Sequence, residues 1–292
     1  MAAGNTITGS LADSLPYMIA SARIIREFEG AMPQLSDKVT LGEGTGLSWN
    51  EISLDQLSAQ AVTETTELNN PQQIADTLLT ITPTVVGIQT RITDRVAARI
   101  SMNVYSSIGS LAQNAIQRKK DKDGITALDS GSTTSDPGAG ATLTSGHIAS
   151  AKYNISSNTT EPGPPPYRCV LHGFQLKDLF DELVAGVGTY VTTEGPTARV
   201  FATGFNLPIA GVEVYEDGNI PIDANDDAKG GVFSQKGIVI VQGRAPRMVP
   251  VRKEDVGGGA TDIFHYDEYA YGLRAGTSWV YEMESDATAP TS

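Results

Sequence analysis

The stretch from Asp94 to Lys120, DRVAARISMNVYSSIGSLAQNAIQRKK, constrains the fold most, because it predicts one long amphipathic helix. Thr93 stands at the N-cap position, and Asp94 brings a carboxylate to the positive end of the helix dipole. Basic residues fill the last turn, and the following DKDG predicts a turn that ends the helix. An apolar stripe recurs at steps of three and four: Val96, Ile100, Val104, Ile108, Leu111 and Ala115.

A helix of this length is roughly 40 Å long at about 1.5 Å per residue. It fits an ordinary core helix, and it also fits a rod that serves as a beam in a larger assembly. The helix by itself does not decide between the two.

Composition excludes several classes of protein. The formal charge of −13 argues against a protein that grips nucleic-acid phosphates, because such a protein needs clustered Lys and Arg. A single cysteine, Cys169, excludes an intramolecular disulfide framework and fits a reducing cytoplasm. The N-terminal MAAGNTITGSLADS has neither the basic nor the apolar region of a signal peptide. No apolar run reaches the roughly 18 residues of a membrane span.

The first 90 residues predict an arm followed by a long hairpin. A short helical pattern runs from Leu11 to Glu29 after a polar start. From Val39 to Thr90 the segments VTL, LSWNEI and AQAVTETTEL alternate in polarity and are broken by GEGTG and NNPQQ, which indicates two strands with an inserted loop. This region is acidic and contains no Lys, Arg or His. Because the arm and the segment from Val39 to Asp76 are polar and short of large apolar residues, we expect both to pack poorly against their own subunit.

The remaining chain predicts a mixed region and then strands. A polar Gly/Ser/Thr linker, ALDSGSTTSDPGAGATLTSG, precedes the buried strand YRCVL and the amphipathic helix HGFQLKDLFDELVAG, which Gly186 ends. Further strands are predicted at IAGVEVYED, KGIVIVQG, RMVPV, DIFHYDEYAYGL and TSWVYEME.

Two patterns resemble metal sites but lack required ligands. Cys169 and His172 form a C-x-x-H pair, yet no second pair exists and both fall in an apolar strand, so burial explains them better. DANDD, from Asp223 to Asp227, begins like a calcium loop, but Ala228 and Ser234 replace the Gly and the bidentate Glu of that loop. A solvated acidic loop fits this segment better.

No catalytic set is evident either. His265, Asp267 and Glu268 alternate along a predicted strand, so we do not expect them to converge on one point. VGGGATD lacks the Lys of a phosphate-binding loop, and neither Gly-x-Ser-x-Gly nor His-Glu-x-x-His occurs. The sequence therefore predicts no catalytic residue, no cofactor and no metal.

The order of these parts resembles the major capsid protein of tailed bacteriophages, whose shell fold is shared with herpesvirus capsids and encapsulins. An arm and a two-stranded excursion return through ITPTVVGIQTRITDRVAARIS into the long helix and DKDGITALDSG. YRCVLHGFQLKDLFDEL, LPIAGVEVYEDGNIP and GLRAGTSWVYEME then follow in the family's order. The resemblance implies an α+β fold with an N-terminal arm, an extended E-loop hairpin, a peripheral (P) domain built on a long spine helix and β-strands, and a mixed axial (A) domain.

The resemblance also implies a division of the chain. The expected parts are the arm with its short helix at 1–37, the E-loop at 38–76, the P domain at 77–128 and 246–292 with the spine helix at about 94–120, and the A domain at 129–245. Lys38 lies at the base of the E-loop and the loop has no lysine, so a covalent cross-link of the kind that some relatives form there is not expected.

The implied function is a structural subunit that self-assembles, as hexamers and pentamers, into the icosahedral head shell enclosing double-stranded DNA. Its wall would make no sequence-specific DNA contacts, and its acidic balance would repel the packaged phosphates. A separate scaffolding protein (or none), a portal and a decoration protein are the implied partners, with no membrane. The protein would reside in the virion after assembly in the host cytoplasm.

Two alternatives stay open at this point. One is an encapsulin-like compartment that holds cargo enzymes, and the other is a soluble β-rich enzyme or ligand-binding domain. The acidic excursion of about 50 residues separates the shell proteins from the free-standing domain, because a compact domain rarely carries one.

The sequence also suggests how the E-loop binds a neighbour. Three arginines spaced by four would form a basic stripe if the helix started early enough, and the acidic loop has no cation of its own. The alternative is that these arginines face solvent or an acidic residue of their own subunit. The predicted inter-subunit pairs join Glu43, Glu51, Glu64 or Glu67 of one copy to Arg91, Arg95 or Arg99 of another.

Overall fold

The computed structural model describes residues 30–65, 67, 71–98, 102–187 and 208–290. The helix predicted between Leu11 and Glu29 lies outside these residues. The described elements are, in chain order, α1 (Met32–Leu35), β1 (Asp37–Thr40), β2 (Trp49–Leu54), β3 (Asp76–Ile81), β4 (Thr84–Thr93), α2 (Asp94–Ala97), α3 (Met102–Asp129), β5 (Thr133–Thr134), α4 (Ser145–Ser156), β6 (Tyr167–Leu171), α5 (Gly173–Val187), β7 (Val212–Glu216), β8 (Asp227–Ser234), β9 (Ile238–Lys253), β10 (Ala260–Leu273) and β11 (Val280–Asp286).

The helical region begins where the sequence predicts but is not described as one uninterrupted helix. Thr93 is the N-cap residue of α2, although its side chain makes no capping hydrogen bond. Asp94 instead pairs with Arg252 on β9. α2 ends at Ala97, and α3 begins at Met102.

The predicted turn at DKDG is wrong, because α3 continues through it to Asp129. Asp121 is completely buried and accepts a hydrogen bond from the Met32 amide at 3.0 Å. A Cβ on Gly124 would lie 2.7 Å from the Met32 Cβ, so the glycine allows α1 to approach closely. Ile125 and Leu128 then enter the main core. Tertiary packing therefore overrides the local preference of this sequence for a turn.

The buried face of α3 is also rotated from the predicted stripe. Ala112, Ile116 and Lys120, each four residues apart, are buried, whereas Leu111 is 40% exposed. Lys120 takes its place on the buried face because its Nζ lies 2.6 Å from Asp267 Oδ2 on β10. A polar pattern alone does not reveal a lysine that is buried through an ion pair.

One sheet has the order β1-β9-β10-β4. β9 pairs with β1 in parallel and with β10 antiparallel, and β10 pairs along its length with β4. The predicted strands KGIVIVQG and RMVPV are thus one 16-residue strand, and DIFHYDEYAYGL forms most of β10. The far half of this sheet is three-stranded, and we call it the ribbon (residues 84–93, 244–253 and 260–267).

A second sheet has the order β5-β11-β8-β6-β7. It confirms the strands predicted at YRCVL, IAGVEVYED and TSWVYEME and the helix after β6. α4 is not among the predicted elements, because its first residues belong to the polar linker. Ile148, Ala151 and Ile155 on α4 pack into the core of this sheet. Because β11 pairs with β8, the sheet crosses the expected boundary at 245/246, and the domain division stays a proposal.

The hairpin of β2 and β3 confirms the predicted two-stranded excursion. It pairs Trp49 with Ile81 at its base and Leu54 with Asp76 at its far end. The predicted AQAVTETTEL strand is absent from the described part of the loop, where residues 55–65 and 67 form no strand. Ile81 packs with Val239 and Val241 of β9, so the base of the hairpin is fixed to the first sheet.

Candidate interaction surface

The two faces of the hairpin differ in what they contact. Cross-strand pairing places Ile52 opposite Leu78, on the face opposite to the one that carries Ile81. Ile52 is 61% exposed, Leu78 59% and Leu54 69%. We call these three residues the hairpin strip. Nothing in the described part of the chain covers it, and an apolar patch of this kind marks an interaction site in a folded protein.

The inserted loop adds to this apolar surface. Leu57, Val62 and Ile74 are exposed beyond the end of the hairpin, and Leu47 is exposed before it. The expectation that this region is short of large apolar residues is therefore wrong. The signal is present in the sequence as the alternation of Ile52 and Leu54 with Glu51 and Ser53.

A second exposed apolar surface lies on the ribbon. The strand register places Val85, Val251, Phe264 and Tyr266 on one face. The two aromatic rings stack with centroids 5.9 Å apart, and the guanidinium of Arg247 lies 5.4 Å from the Tyr266 ring centroid. We call this set the ribbon face.

The predicted acidic residues of the E-loop separate into two groups. Glu51 lies at the hairpin base, where its Oε2 accepts a hydrogen bond from Nε of Arg274 at 2.6 Å. The same guanidinium binds Asp37 at 2.5 Å and lies over the Trp49 ring. Glu51 is therefore paired within its own subunit. By contrast, the other three predicted acids are exposed: Glu43, Glu64 and Glu67.

The predicted basic stripe is not a single helical surface. Arg91 lies in β4, where Nε and Nη2 donate to the two oxygens of the buried Asp262 at 2.5 and 2.8 Å. These hydrogen bonds lower the pKa of Asp262 and raise that of Arg91. Arg95 lies on α2 and is exposed, and Arg99 lies outside the described residues. The pairing of Arg91 within its own subunit is the alternative that the sequence left open.

The residues considered for metal binding are buried or hydrogen-bonded within the fold. Burial raises the pKa of the Cys169 thiol. The His172 Nδ1 accepts a hydrogen bond from the Phe174 amide, and burial lowers the pKa of this imidazole. Asp223 accepts hydrogen bonds from the amides of Asn225 and Asp227, which makes DANDD a closed turn. Within the described ranges, no three His, Cys, Asp or Glu residues are grouped to hold a metal ion.

The strand HYDEY departs from expectation in one respect. His265 and Asp267 are both buried on the side of β10 that meets α3, so two of the three residues do share a face. Asp267 is bound to Lys120, and a register shift separates Glu268 from them. The described helices include none that is both long and apolar enough to cross a bilayer.

Comparison with known proteins identifies the family. The phage capsid protein family matches residues 77–281, which is more than half of the chain. The chain belongs to the phage capsid protein family. A search of curated proteins finds no match.

Solved capsid structures share the fold. The capsid of cyanophage Pam1 aligns with a TM-score of 0.70 at 12% identity, over 99% of this chain and 100% of that chain. The capsid of cyanophage P-SCSP1u gives 0.68 at 16% identity, over 93% and 92% of the two chains. Mycobacterium phage Che8 gives 0.66 at 16% identity, over 93% and 97%. The α+β fold predicted from the order of elements is confirmed, and the protein is a structural major capsid protein.

Proposed function

We propose that many copies of this chain assemble, as hexamers and pentamers, into the icosahedral head shell of a tailed phage, around double-stranded DNA. The observation that carries the proposal is the hairpin, whose base is fixed to the subunit while its apolar strip contacts nothing in the described chain. A free subunit gains nothing from exposing this strip, whereas a neighbouring copy can cover it. No residue is assigned a catalytic role, and the virion is the proposed location.

Sizing of the expressed protein tests this proposal. We expect closed particles of megadalton size by sedimentation and electron microscopy. A monomer or dimer under all assembly conditions would refute both the phage shell and an encapsulin-like compartment. The family match favours a DNA-filled head over a cargo compartment, and analysis of the nucleic acid in particles from infected cells separates the two. The scaffolding, portal and decoration partners and assembly in the host cytoplasm belong to the same proposal.

By this proposal the hairpin contact is mainly apolar, because covering its aliphatic side chains contributes more free energy than an exposed ion pair does. Covering three aliphatic side chains that are about 60% exposed contributes about 3–5 kcal/mol per copy. An exposed ion pair contributes only about 0.2–1 kcal/mol. The expected contact of Glu43, Glu64 or Glu67 with Arg95 is therefore secondary, and it guides orientation more than it holds subunits together.

The ribbon face of a neighbouring copy is the proposed partner of the hairpin strip. Apart from the E-loop and Leu78, five described residues are large, apolar and exposed, and two of them, Val85 and Val251, lie on the ribbon face. A strip of aliphatic side chains on the aromatic and aliphatic ribbon face would cover both surfaces at once.

Changing two residues of the strip tests the contact. Ile52→Ser with Leu78→Ser should prevent particle formation and leave the thermal unfolding of free subunits nearly unchanged, because both side chains already contact solvent. Tyr153→Ser, at an exposed residue of α4, is the matched control and should still assemble. Particles that form normally from the double variant would contradict the apolar contact.

Cross-linking then tests the partner. The only native thiol, Cys169, is buried, so Leu54→Cys and Val85→Cys introduce the only reactive thiols. We expect oxidation to link different copies in assembled particles and not in free subunits. A Leu54→Cys and Tyr153→Cys pair should remain unlinked; equal linkage in both pairs would exclude the ribbon as the specific partner.

A further inference from the structure

Two carboxyl groups from different parts of the chain bind the backbone amides of Ala31 and Met32. Asp121 lies on α3 and Asp217 comes directly after β7, and both are completely buried. An oxygen of Asp121 accepts a hydrogen bond from the Met32 amide at 3.0 Å, and an oxygen of Asp217 accepts one from the Ala31 amide at 3.1 Å. A Cβ on Gly30 would lie 1.8 Å from Cγ of Asp121, so the backbone lies directly against this carboxyl.

The two carboxyl groups also share a hydrogen-bond partner. Asn219 donates its side-chain Nδ2 to Asp121 at 2.9 Å and its backbone amide to Asp217 at 2.9 Å. Asn219 binds both carboxyl groups, and the adjacent amides of Ala31 and Met32 bind one each, so the two groups lie close together. Burial and the nearby Asp217 raise the pKa of Asp121. Two buried carboxylates that lie close together cannot both be ionised at low cost, so one remains protonated.

Within the described structure, no cation beside Asp121 and Asp217 compensates the charge that both carboxyl groups would carry if ionised. His172, directly after β6, is influenced by the charge of Asp217, but burial lowers the pKa of this imidazole overall, which favours its neutral form. Tyr271 on β10 is also kept neutral, because burial and the Asp121 charge raise its pKa. The residues of α1, MPQL, carry no charge.

The charged neighbours on α3 have other partners or lie at the surface. Lys120 binds Asp267, and Lys119 binds Asp123. The carboxylate of Asp123 also accepts a hydrogen bond from the Tyr269 hydroxyl. Lys122 lines an open cleft beside Asn219, and Glu216 lies on the far side of Asp217 near Gly173. The pair therefore depends on its own proton.

We propose that Asp121 and Asp217 are a proton-dependent latch on the chain at Ala31 and Met32, so that the hold on the N-terminal arm tightens as pH falls below neutral. This inference goes beyond shell formation, because it concerns how one subunit anchors its own arm. Protonation keeps the two carboxyls together, and loss of the proton leaves two charges that repel each other beneath the backbone they bind.

The sign of the pH dependence comes from linkage. Burial and the neighbouring Asp217 raise the pKa of Asp121 from 3.8 to about 7 while the latch is closed. In the opened segment the carboxyl returns to its ordinary pKa, so the open state binds the proton less tightly than the closed state between the two values. Opening therefore becomes more favourable as pH rises through this window and levels off above about pH 7. For a closed-state pKa of about 7, the opening constant rises about fiftyfold between pH 5 and 7.

Hydrogen exchange on the full-length subunit measures this directly. Protection factors, which remove the intrinsic pH dependence of exchange, are compared at pH 5, 6, 7 and 8 for the peptide containing Ala31 and Met32. We expect its protection to fall about fiftyfold from pH 5 to 7 and only about twofold from pH 7 to 8. The peptide of β6 (Tyr167–Leu171) in the same sample reports whether the whole subunit opens, and should change much less.

Variants separate the latch from general pH effects. Asp121→Asn keeps the acceptor for the Met32 amide but cannot ionise, so its protection profile should be flat between pH 5 and 7. Asp217→Asn removes the other carboxyl group and should also flatten the protection profile. It provides a second test if one of the two variants folds poorly. Asp123→Asn, two residues away on the same helix, should keep the profile of the unmodified chain. A flat profile in the unmodified chain, or an unchanged slope in both variants of the pair, would overturn the proposal.

Discussion

The ion pair between Lys120 and Asp267 allows a quantitative test of how α3 is held to the first sheet. Lys120 Nζ lies 2.6 Å from Asp267 Oδ2, and both side chains are almost fully buried. Replacing Lys120 by Met keeps the length of the side chain but leaves the carboxylate buried without its counterion. Such a change costs about 3–5 kcal/mol, because an uncompensated buried charge is much less stable than a paired one.

A double-mutant cycle isolates the pair. Asp267→Asn keeps the acceptor for the Glu268 amide and leaves the ammonium unpaired, so it should cost a similar amount. The double variant removes both charges, and its cost should be smaller than the sum of the single costs by about 2–3 kcal/mol. Urea unfolding of free subunits, followed by circular dichroism at pH 7, gives each free energy.

The pair Lys177–Asp181 on α5 is the matched control. Its nitrogen and oxygen are also 2.6 Å apart, but its side chains are 39% and 57% exposed. The same cycle, Lys177→Met with Asp181→Asn, should give a much smaller coupling because water screens both charges. Equal coupling free energies in the two cycles would refute the argument that burial makes the Lys120–Asp267 pair strong.

Two further outcomes are expected from the packing. Gly124→Ala should destabilise the subunit by about 1–3 kcal/mol, although alanine favours helices, because the new methyl group would overlap Met32. Gly109→Ala has open space around it and should stabilise the same helix by about 1 kcal/mol. If both variants lower the urea midpoint, or both raise it, close approach at Gly124 is not the cause. Cys169 should resist alkylation by iodoacetamide in the folded subunit from pH 7 to 9, because the thiol is buried and its pKa is raised, and labelling at the rate seen in urea would contradict this.

The sequence predicts well those helices and strands in which apolar residues recur with the period of the element itself. The helix after YRCVL and the long strand through HYDEY show such periodicity, YRCVL is a continuous apolar run, and each occurs in the structure. The order of these elements is enough to suggest the fold, and solved capsids that are only 11–16% identical to this chain share that fold.

The errors lie where distant residues decide the outcome. DKDG has the composition of a turn, but α1 and Asn219 provide partners that keep it helical, and these residues lie about 90 to 100 positions away. α4 begins with a capping box formed by Thr144 and His147, a variant of the usual motif that does not stand out in a polar segment. Arg91 falls on a predicted helical stripe because spacing alone does not show that it lies in a strand beside Asp262.

The interface prediction stays a prediction, but the structure changes its emphasis. Charge is the most visible property of the E-loop and favours a binding role for its acids, whereas three isolated aliphatic side chains attract less notice. Only strand pairing shows that Ile52 and Leu78 are neighbours, because 26 positions separate them in sequence. The sequence and the structure therefore point to the same element, but the sequence favours ion pairs there and the structure favours an apolar contact.

The base of the hairpin has a mechanical consequence. Arg274 ties Asp37 and Glu51 together where the hairpin leaves the sheet, so the base acts as a pivot and the free end as a lever. The strand from Trp49 to Leu54 spans about 17 Å, so a rotation of about 10° at the pivot moves the far end by about 3 Å. Such a rotation repositions the strip without breaking strand pairing. In the proposed shell of hexamers and pentamers, one sequence would thereby meet its neighbours at the different angles of the two rings, with the adjustment confined to the hairpin base.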